Sequence, residues 1–310
     1  NVTVYLIDAG ENAMGYAWTD AEIKARQKRF EQVVEPAAVG VIVNSGGVTL
    51  PTGSILLADL NVLLDALAVG DQNKPVKTLA AADAKGNAAG DYLSVQQVTL
   101  IGEQSAFTTE TSDDGHTLKK AAVELGSWVG RLEVGSVKAG TGLDALTVEA
   151  VYINNFLNDY SAKTKQSFTE LTWPGTYSPS WATDVYDAAV TSAAGTKVYA
   201  YQLFAGSLIP HVIYKVSGTV SAGYKLADGT GDADNPTPFT GKYITVKGYR
   251  ENGSLISHFD EHKIYKMGLE NGGIEITPEK ITDKPEKAKI DLIAAITVAD
   301  WTTANVTPEI

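Results

Sequence analysis

From Thr302 to Ile310 polar and apolar residues alternate. Ala304, Val306, Pro308 and Ile310 fall on one side of an extended chain, and Thr303, Asn305, Thr307 and Glu309 on the other. That is the period of a half-buried strand. The segment before it, AKIDLIAAITVADW, reads as a complete strand stopping at Asp300-Trp301. The tail is therefore an extra strand with an apolar face and no sequence neighbour to pair with. Such a strand frays, or it completes a sheet in another molecule.

The same pattern predicts the other elements. Residues 1–7, NVTVYLI, read as a strand, and AAVGVIVN at 37–44 as a buried strand ending at Asn44. Residues 19–31 suit two readings: Thr19 and Glu22 form a capping-box pattern, whereas RFEQVVEP suits a strand. Residues 54–69 form the one convincing helix. Ile55, Leu56, Leu60, Leu63, Leu64 and Leu67 recur at helical spacing, with Ser54 as cap and Gly70 as stop. Residues 71–92 read as an Ala- and Gly-rich loop. VQQVTLIG, SAFTTE, KKAAVELGSWVG and RLEVGSVKA then read as short strands, with a turn at 111–116. Gly-rich KAGTGLDA at 138–145 predicts a boundary, after which LTVEAVYIN opens a second series of strands. The expected fold is all-β: two tandem β-sandwich domains of transthyretin/Ig-like type, 1–143 with one helix and 144–310 carrying the tail.

Composition narrows the function. The chain has 310 residues and a net charge of -12. Nucleic acid and polybasic membrane contact both require basic surface, so both are disfavoured. Cysteine is absent, which removes disulfides and thiolate metal sites. The first residue, Asn1, already belongs to a strand pattern, and the expectation is a processed product whose leader has been removed.

Candidate chemistry is sparse. His258 and His262 in HFDEH stand four apart, but the zinc-protease signature is HExxH and the surroundings read as strand. His116 and His211 lack a partner motif. Asp228, Asp232 and Asp234 alternate in one loop, yet Ala233 occupies the glycine position of a calcium loop and Phe239 its twelfth position. No metal, cofactor or catalytic residue is expected. WPGTYSPSW sets Trp173, Tyr177 and Trp181 in one loop. Such aromatics stack on sugars or on a neighbouring subunit, or fold down on their own domain.

Taken in order, several segments resemble the fimbrillin family, the major stalk subunits of type V pili. They are VGVIVN, the Leu-rich helix, VTLIGEQSAFTTE, AAVELGSWVGRLEV, LTVEAVYINN, and HKIYKMGLENGGIEITPEKITDKPE followed by a strand ending VADWT and a short tail. The resemblance covers most of the chain and departs in the short segment between residues 8 and 36 and in loops of the second half. It implies export as a lipoprotein precursor to the cell surface. An Arg- or Lys-specific protease then removes an N-terminal strand, and the vacated groove accepts the C-terminal strand of another copy. On that reading the donor residues are Ala304, Val306, Pro308 and Ile310, and Val2, Val4 and Leu6 edge the acceptor groove. The implied partners are identical subunits head-to-tail, tip, accessory and anchor pilins, and host or bacterial surface receptors. The alternative is a monomeric surface glycan-binding lipoprotein using Trp173 and Trp181.

Overall fold

A computed structural model describes residues 1–31, 33–45, 48–67, 75–76, 99–111, 115, 117–157, 159–160, 162–175, 190–191, 197–269, 272–288, 290, 292–300 and 305–309. The protein is all-β. It forms two compact units: one takes residues 1–72, 96–128 and 301–310, the other 73–95 and 129–300. The Gly-rich segment 138–145, expected as the boundary, lies inside the second unit. The strand before it hydrogen-bonds to that unit's sheet, and the tail expected in the second domain belongs to the first unit.

In unit 1, β1 (Val2–Ile7) and β2 (Asn12–Ala17) form a hairpin, α1 (Asp20–Ala25) and β3 (Gln27–Arg29) follow, and β4 (Ala38–Val43) and β5 (Gly53–Leu56) lead into α2 (Leu57–Leu67). After β6 (Pro75–Val76), which pairs in unit 2, come β7 (Leu100–Gln104), β8 (Thr108–Thr111), β9 (Thr117–Lys120) and β10 (Val123–Glu124). The tail supplies β24 (Asn305–Glu309).

One antiparallel sheet has the order β5-β2-β1-β4-β7. Its centre, β1, is buried at every position, because both faces are covered. Val2, Val4 and Leu6 share an apolar cluster with Trp18, Phe30, Val39, Val41, Ala121, Val123 and Leu125. Tyr5 and Ile7 share another with Ala13, Ala38, Ile42, Leu60 and Leu67. Helix α2 thus packs on one face and the second sheet on the other, which explains an apolar run where one wet face would give alternation.

Helix α2 begins at Leu57, later than expected. Ser54 is paired with Met14 in β5 and does not cap the helix. Thr19 and Glu22 do form a capping box, so residues 19–31 become a helix followed by a three-residue strand and not a longer strand. Asn44 ends β4 by adopting φ 55°, the left-handed region that Asn tolerates better than most residues.

Unit 2 contains β11 (Val129–Val134), β12 (Val137–Ala139), β13 (Leu143–Asn154), β14 (Phe156–Leu157), β15 (Lys165–Gln166), β16 (Val190–Thr191), β17 (Lys197–Phe204), β18 (His211–Val220), β19 (Thr237–Glu251), β20 (Ser254–Leu255), β21 (Lys263–Met267), β22 (Ile274–Ile276) and β23 (Leu292–Asp300). Its main sheet has the order β13-β18-β19-β23-β21-β11-β17-β16. The sheet rolls so that its two ends meet across one core. Tyr214 on β18 donates to the Gly135 carbonyl at 2.9 Å, and Tyr201 on β17 donates to the Val151 carbonyl at 3.3 Å. At one end of β13, buried Glu286 accepts from Asn154 Nδ2 at 2.7 Å and lies 2.8 Å from His211 Nδ1, tying three distant segments together.

Gly102 fixes the approach of β10 to β7. A methyl group at Gly102 would lie 2.2 Å from the Glu124 carbonyl oxygen and 2.7 Å from Val123 Cγ1. Gly102→Ala is therefore expected to destabilise the fold by about 1–3 kcal/mol through overpacking, read as a lower urea midpoint. An unchanged midpoint would show that β10 has room to shift.

Candidate functional site: the tail-strand slot of unit 1

The second sheet of unit 1 is built around the tail. Val306 stands opposite Val123, Asn305 opposite Glu124, and Glu309 opposite Lys120. These pairs keep one antiparallel register, so β9 and β10 act as a single wall interrupted at residues 121–122. The register sets Pro308 opposite Ala121, at that interruption, and proline has no N–H to donate to a ladder. On its other side β24 runs parallel to β3, with Thr307 opposite Gln27, Pro308 opposite Lys28 and Glu309 opposite Arg29. Strand β8 pairs with the outer side of β9. The tail is therefore an interior strand of this sheet.

The slot has an apolar floor. Val4, Val39, Val41, Ala121 and Val123 have no exposed surface, and Val2, Leu6, Trp18 and Phe30 are buried beside them. Val2, Val4 and Leu6 were expected along the groove edge. They instead occupy the central strand of the facing sheet, because β1 is hydrogen-bonded to β2 on one side and β4 on the other. Of the expected donor residues, Val306 and Pro308 lie in β24, while Ala304 and Ile310 lie outside the described residues.

The β3 wall is held from outside the ladder. Glu22 Oε2 accepts from the Thr19 backbone N–H at 2.7 Å, and Glu22 Oε1 pairs with Lys28 at 2.9 Å. Thr19's N–H and then Lys28 hold the Glu22 carboxyl below the usual carboxylate range. Phe30 continues the wall inward and packs on Tyr16 with ring centroids 4.8 Å apart. Lys119 pairs with Glu35 beyond the end of the slot and keeps that carboxyl low as well. Among the described strands β3 pairs with β24 alone. This wall escaped the sequence reading because QKR carries no apolar alternation; the capping box just upstream was its one signal.

The other candidates are occupied structurally. Trp173 packs at 5.1 Å from Phe168 and 5.8 Å from Tyr243, so its ring lies on its own domain. Tyr177 and Trp181 lie outside the described residues. His258 pairs with Asp260 at 2.8 Å, and His262 sits at φ 58° in a turn, so the two imidazoles do not share a helix face. His116 lies outside the described residues. Asp228 pairs with Lys242, and Asp232 accepts from the Asp234 and Asn235 backbone N–H groups at 2.9 and 2.8 Å. Among the described residues no group of three or more His, Asp or Glu is arranged to hold a metal ion.

No family model matches the chain, and no curated protein matches it. Among solved structures it is similar to a Parabacteroides distasonis protein assigned to cell adhesion, at 10% identity and TM-score 0.44 over 97% of this chain and 94% of that one. It is also similar to a fimbrilin from Porphyromonas gingivalis W83, at 12% identity and TM-score 0.42 over 97% and 90%. A second Parabacteroides distasonis protein assigned to cell adhesion shows 13% identity and TM-score 0.41 over 99% and 87%. These are distant likenesses, and the functional reading rests on the slot.

The Glu22 carboxylate gives a pH test of the wall. A carboxyl whose pKa is lowered on folding adds stability above its ordinary pKa and loses it as pH falls through the lowered value. Glu22→Gln should therefore be less stable than wild type above about pH 5, and the gap should close on further acidification. A gap that persists in acid would show that Glu22 acts through packing instead.

Proposed function

We propose that this chain is a structural subunit of a surface fimbria that polymerises by donor-strand exchange, with the unit 1 slot as acceptor and residues 302–310 as donor. The carrying observation is the place of β24. A segment from the far end of the chain, following all of unit 2, is an interior strand of unit 1 with ladders on both sides. A terminal element that completes a distant sheet is the kind of element that identical copies exchange. Another copy carries the same tail, so it offers the same ladder and the same apolar face. Exchange in one sense from copy to copy is a heterologous contact, which propagates as an open filament when it does not close.

In the structure the chain fills its own slot. This closed form competes with exchange, because a tethered tail has a high effective concentration. On this reading, an upstream strand removed by an Arg- or Lys-specific protease is the earlier occupant of the slot in a lipoprotein precursor. The activity needs no cofactor and no catalytic residue. Its partners are further copies of the chain, joined at the fibre ends by tip, accessory and anchor subunits.

The absence of cysteine permits a direct test by strand trapping. Glu124 and Asn305 are ladder partners, within reach of a disulfide at ordinary strand spacing. Chains carrying Glu124→Cys alone and Asn305→Cys alone, assembled together and oxidised, should give disulfide-linked pairs on a non-reducing gel. The double variant in one chain should give ladders. Intrachain bonds in the double variant with no linked pairs in the mixture would overturn exchange.

A second expectation concerns the faces of the tail. Val306→Asp should abolish fibres in electron micrographs, since period two sets Val306 on the same face as its fully buried partner Val123. An unpaired buried carboxylate costs several kcal/mol. Thr307→Asp should leave fibres intact, and equal loss in both variants would sink the assignment of faces.

A further inference from the structure

Phe168 and Trp173 clamp the two ends of a short turn in unit 2, and the turn holds one apolar side chain out in water. The Phe168 N–H donates to Asn154 Oδ1 at 3.0 Å, and the Phe168 carbonyl accepts from Asn154 Nδ2 at 3.0 Å. Trp173 closes the other end by packing on Phe168 and Tyr243. Between them the Thr169 N–H donates to Thr172 Oγ1 at 2.8 Å, and the Thr172 N–H donates to the Thr169 carbonyl at 3.1 Å. Glu170 is paired with Lys287 at 2.6 Å. Leu171 is 94% exposed, more than any other large apolar side chain among the described residues. A single exposed leucine is ordinary on a protein surface. One fixed on a turn anchored at both ends is a preorganised knob, with little entropy left to lose on docking.

Unit 1 carries a matching hole. A cavity of about 370 Å³ is lined chiefly by Leu6, Met14, Tyr16, Val33, Val34 and Pro36, with Asp8, Asn12 and Ser54 as its polar members. Val34 is 75% exposed and Met14 39%, so part of this apolar lining faces water. The volume exceeds the roughly 150 Å³ of a cavity that accepts a benzene ring, and it therefore has room for a leucine side chain. The polar groups match as well. Thr169 and Thr172 carry hydroxyls on either side of Leu171, and Asp8, Asn12 and Ser54 offer a carboxylate, an amide and a hydroxyl to meet them. Glu170, the one acidic side chain of the turn, is already paired with Lys287 and does not bring a bare charge to Asp8.

We propose that this cavity is a docking site for a second copy of the chain, with the Leu171 turn of that copy as its occupant. The chain's own Leu171 stands in water, so the knob is available to another molecule. Docking covers exposed apolar surface on both partners, Leu171 on one and Met14 and Val34 on the other, and surrounds it with polar groups. Knob and hole lie in different units, so the contact is heterologous. Each copy gives a knob and receives one, and the series stays open unless its rotation closes a ring. The contact goes beyond strand exchange and does not require it, since no part of the tail takes part.

The chain has two methionines. In the full chain with labelled methionine methyls, Met14 reports on the cavity, and Met267, with no exposed surface in the unit 2 core, is the internal control. The Met14 signal should move with protein concentration while the Met267 signal stays. Leu171→Asp changes an exposed position, so the fold should persist, and the concentration needed should rise by about tenfold or more, as for loss of an interface anchor. Complementation identifies the partner. A labelled Leu171→Asp chain keeps the cavity and lacks the knob. Adding unlabelled Val34→Asp chain, which keeps the knob and spoils the cavity, should restore the Met14 shift, and adding the unlabelled double variant should not. A Met14 signal that ignores concentration, or that responds to the double variant as strongly as to Val34→Asp, would overturn the docking site. A Met14 difference between wild type and Leu171→Asp that persists at every dilution would put Leu171 of the same chain in the cavity and overturn assignment to a second copy. Linked pairs in the disulfide trap with an unresponsive Met14 would retain strand exchange and discard this contact. Complementation at Met14 without linked pairs would retain the contact and discard exchange.

Discussion

Everything in unit 1 follows from the need to satisfy two strand edges that face each other one strand apart above an apolar floor. The inner edge of β9 and β10 and the edge of β3 each present backbone N–H and C=O groups toward the same gap. Beneath the gap lies a floor of buried valines. Water satisfies such edges only by wetting that floor, and a buried edge without partners costs free energy for every unmade hydrogen bond. One strand solves both problems at once, by pairing on each side and covering the floor. Unit 1 is therefore incomplete without β24.

The doubly buried strand β1 makes the floor rigid. Tyr5 and Ile7 are held from behind by Leu60 and Leu67 of α2, while Val2, Val4 and Leu6 face the slot. Because β1 is hydrogen-bonded along both sides and packed on both faces, the floor is held in place by contacts other than the tail. The β3 wall is different. Among the described residues it pairs with β24 alone, and its helix α1 buries no residue. Its order depends on the capping box, the Glu22–Lys28 pair and the Phe30 anchor. One wall is fixed and the other is conditional on the tail strand.

The legible parts of the sequence were those with a strong local period. The tail strand, β1, β4, β13 and β18 were all marked by apolar alternation or apolar runs, and α2 by its leucines. Two features were not legible, for physical reasons. First, β3 is a strand because of what it pairs with: Gln27, Lys28 and Arg29 have no apolar face, and only the tertiary ladder selects the extended form. Second, the placement of β1 at the sheet centre depends on two nonlocal partners, which periodicity does not show, so the edge that the resemblance implied for Val2, Val4 and Leu6 is one they do not have. The Gly-rich segment 138–145 looked like a linker because glycine marks turns as readily as boundaries. Gly142 has φ 90° and turns the chain into β13 within unit 2.

Pro308 has a consequence for fidelity. The one tail residue that cannot donate a hydrogen bond stands opposite the one break in the β9–β10 wall in the observed register. A slip by one residue would move the alternating apolar positions of the tail to the opposite face, whichever way the strand shifted. A slip by two would restore the faces but set the proline opposite Lys119 or Val123, within an intact strand. The proline thus acts as a key cut for one notch, rejecting mis-seated strands that hydrophobic burial alone would accept.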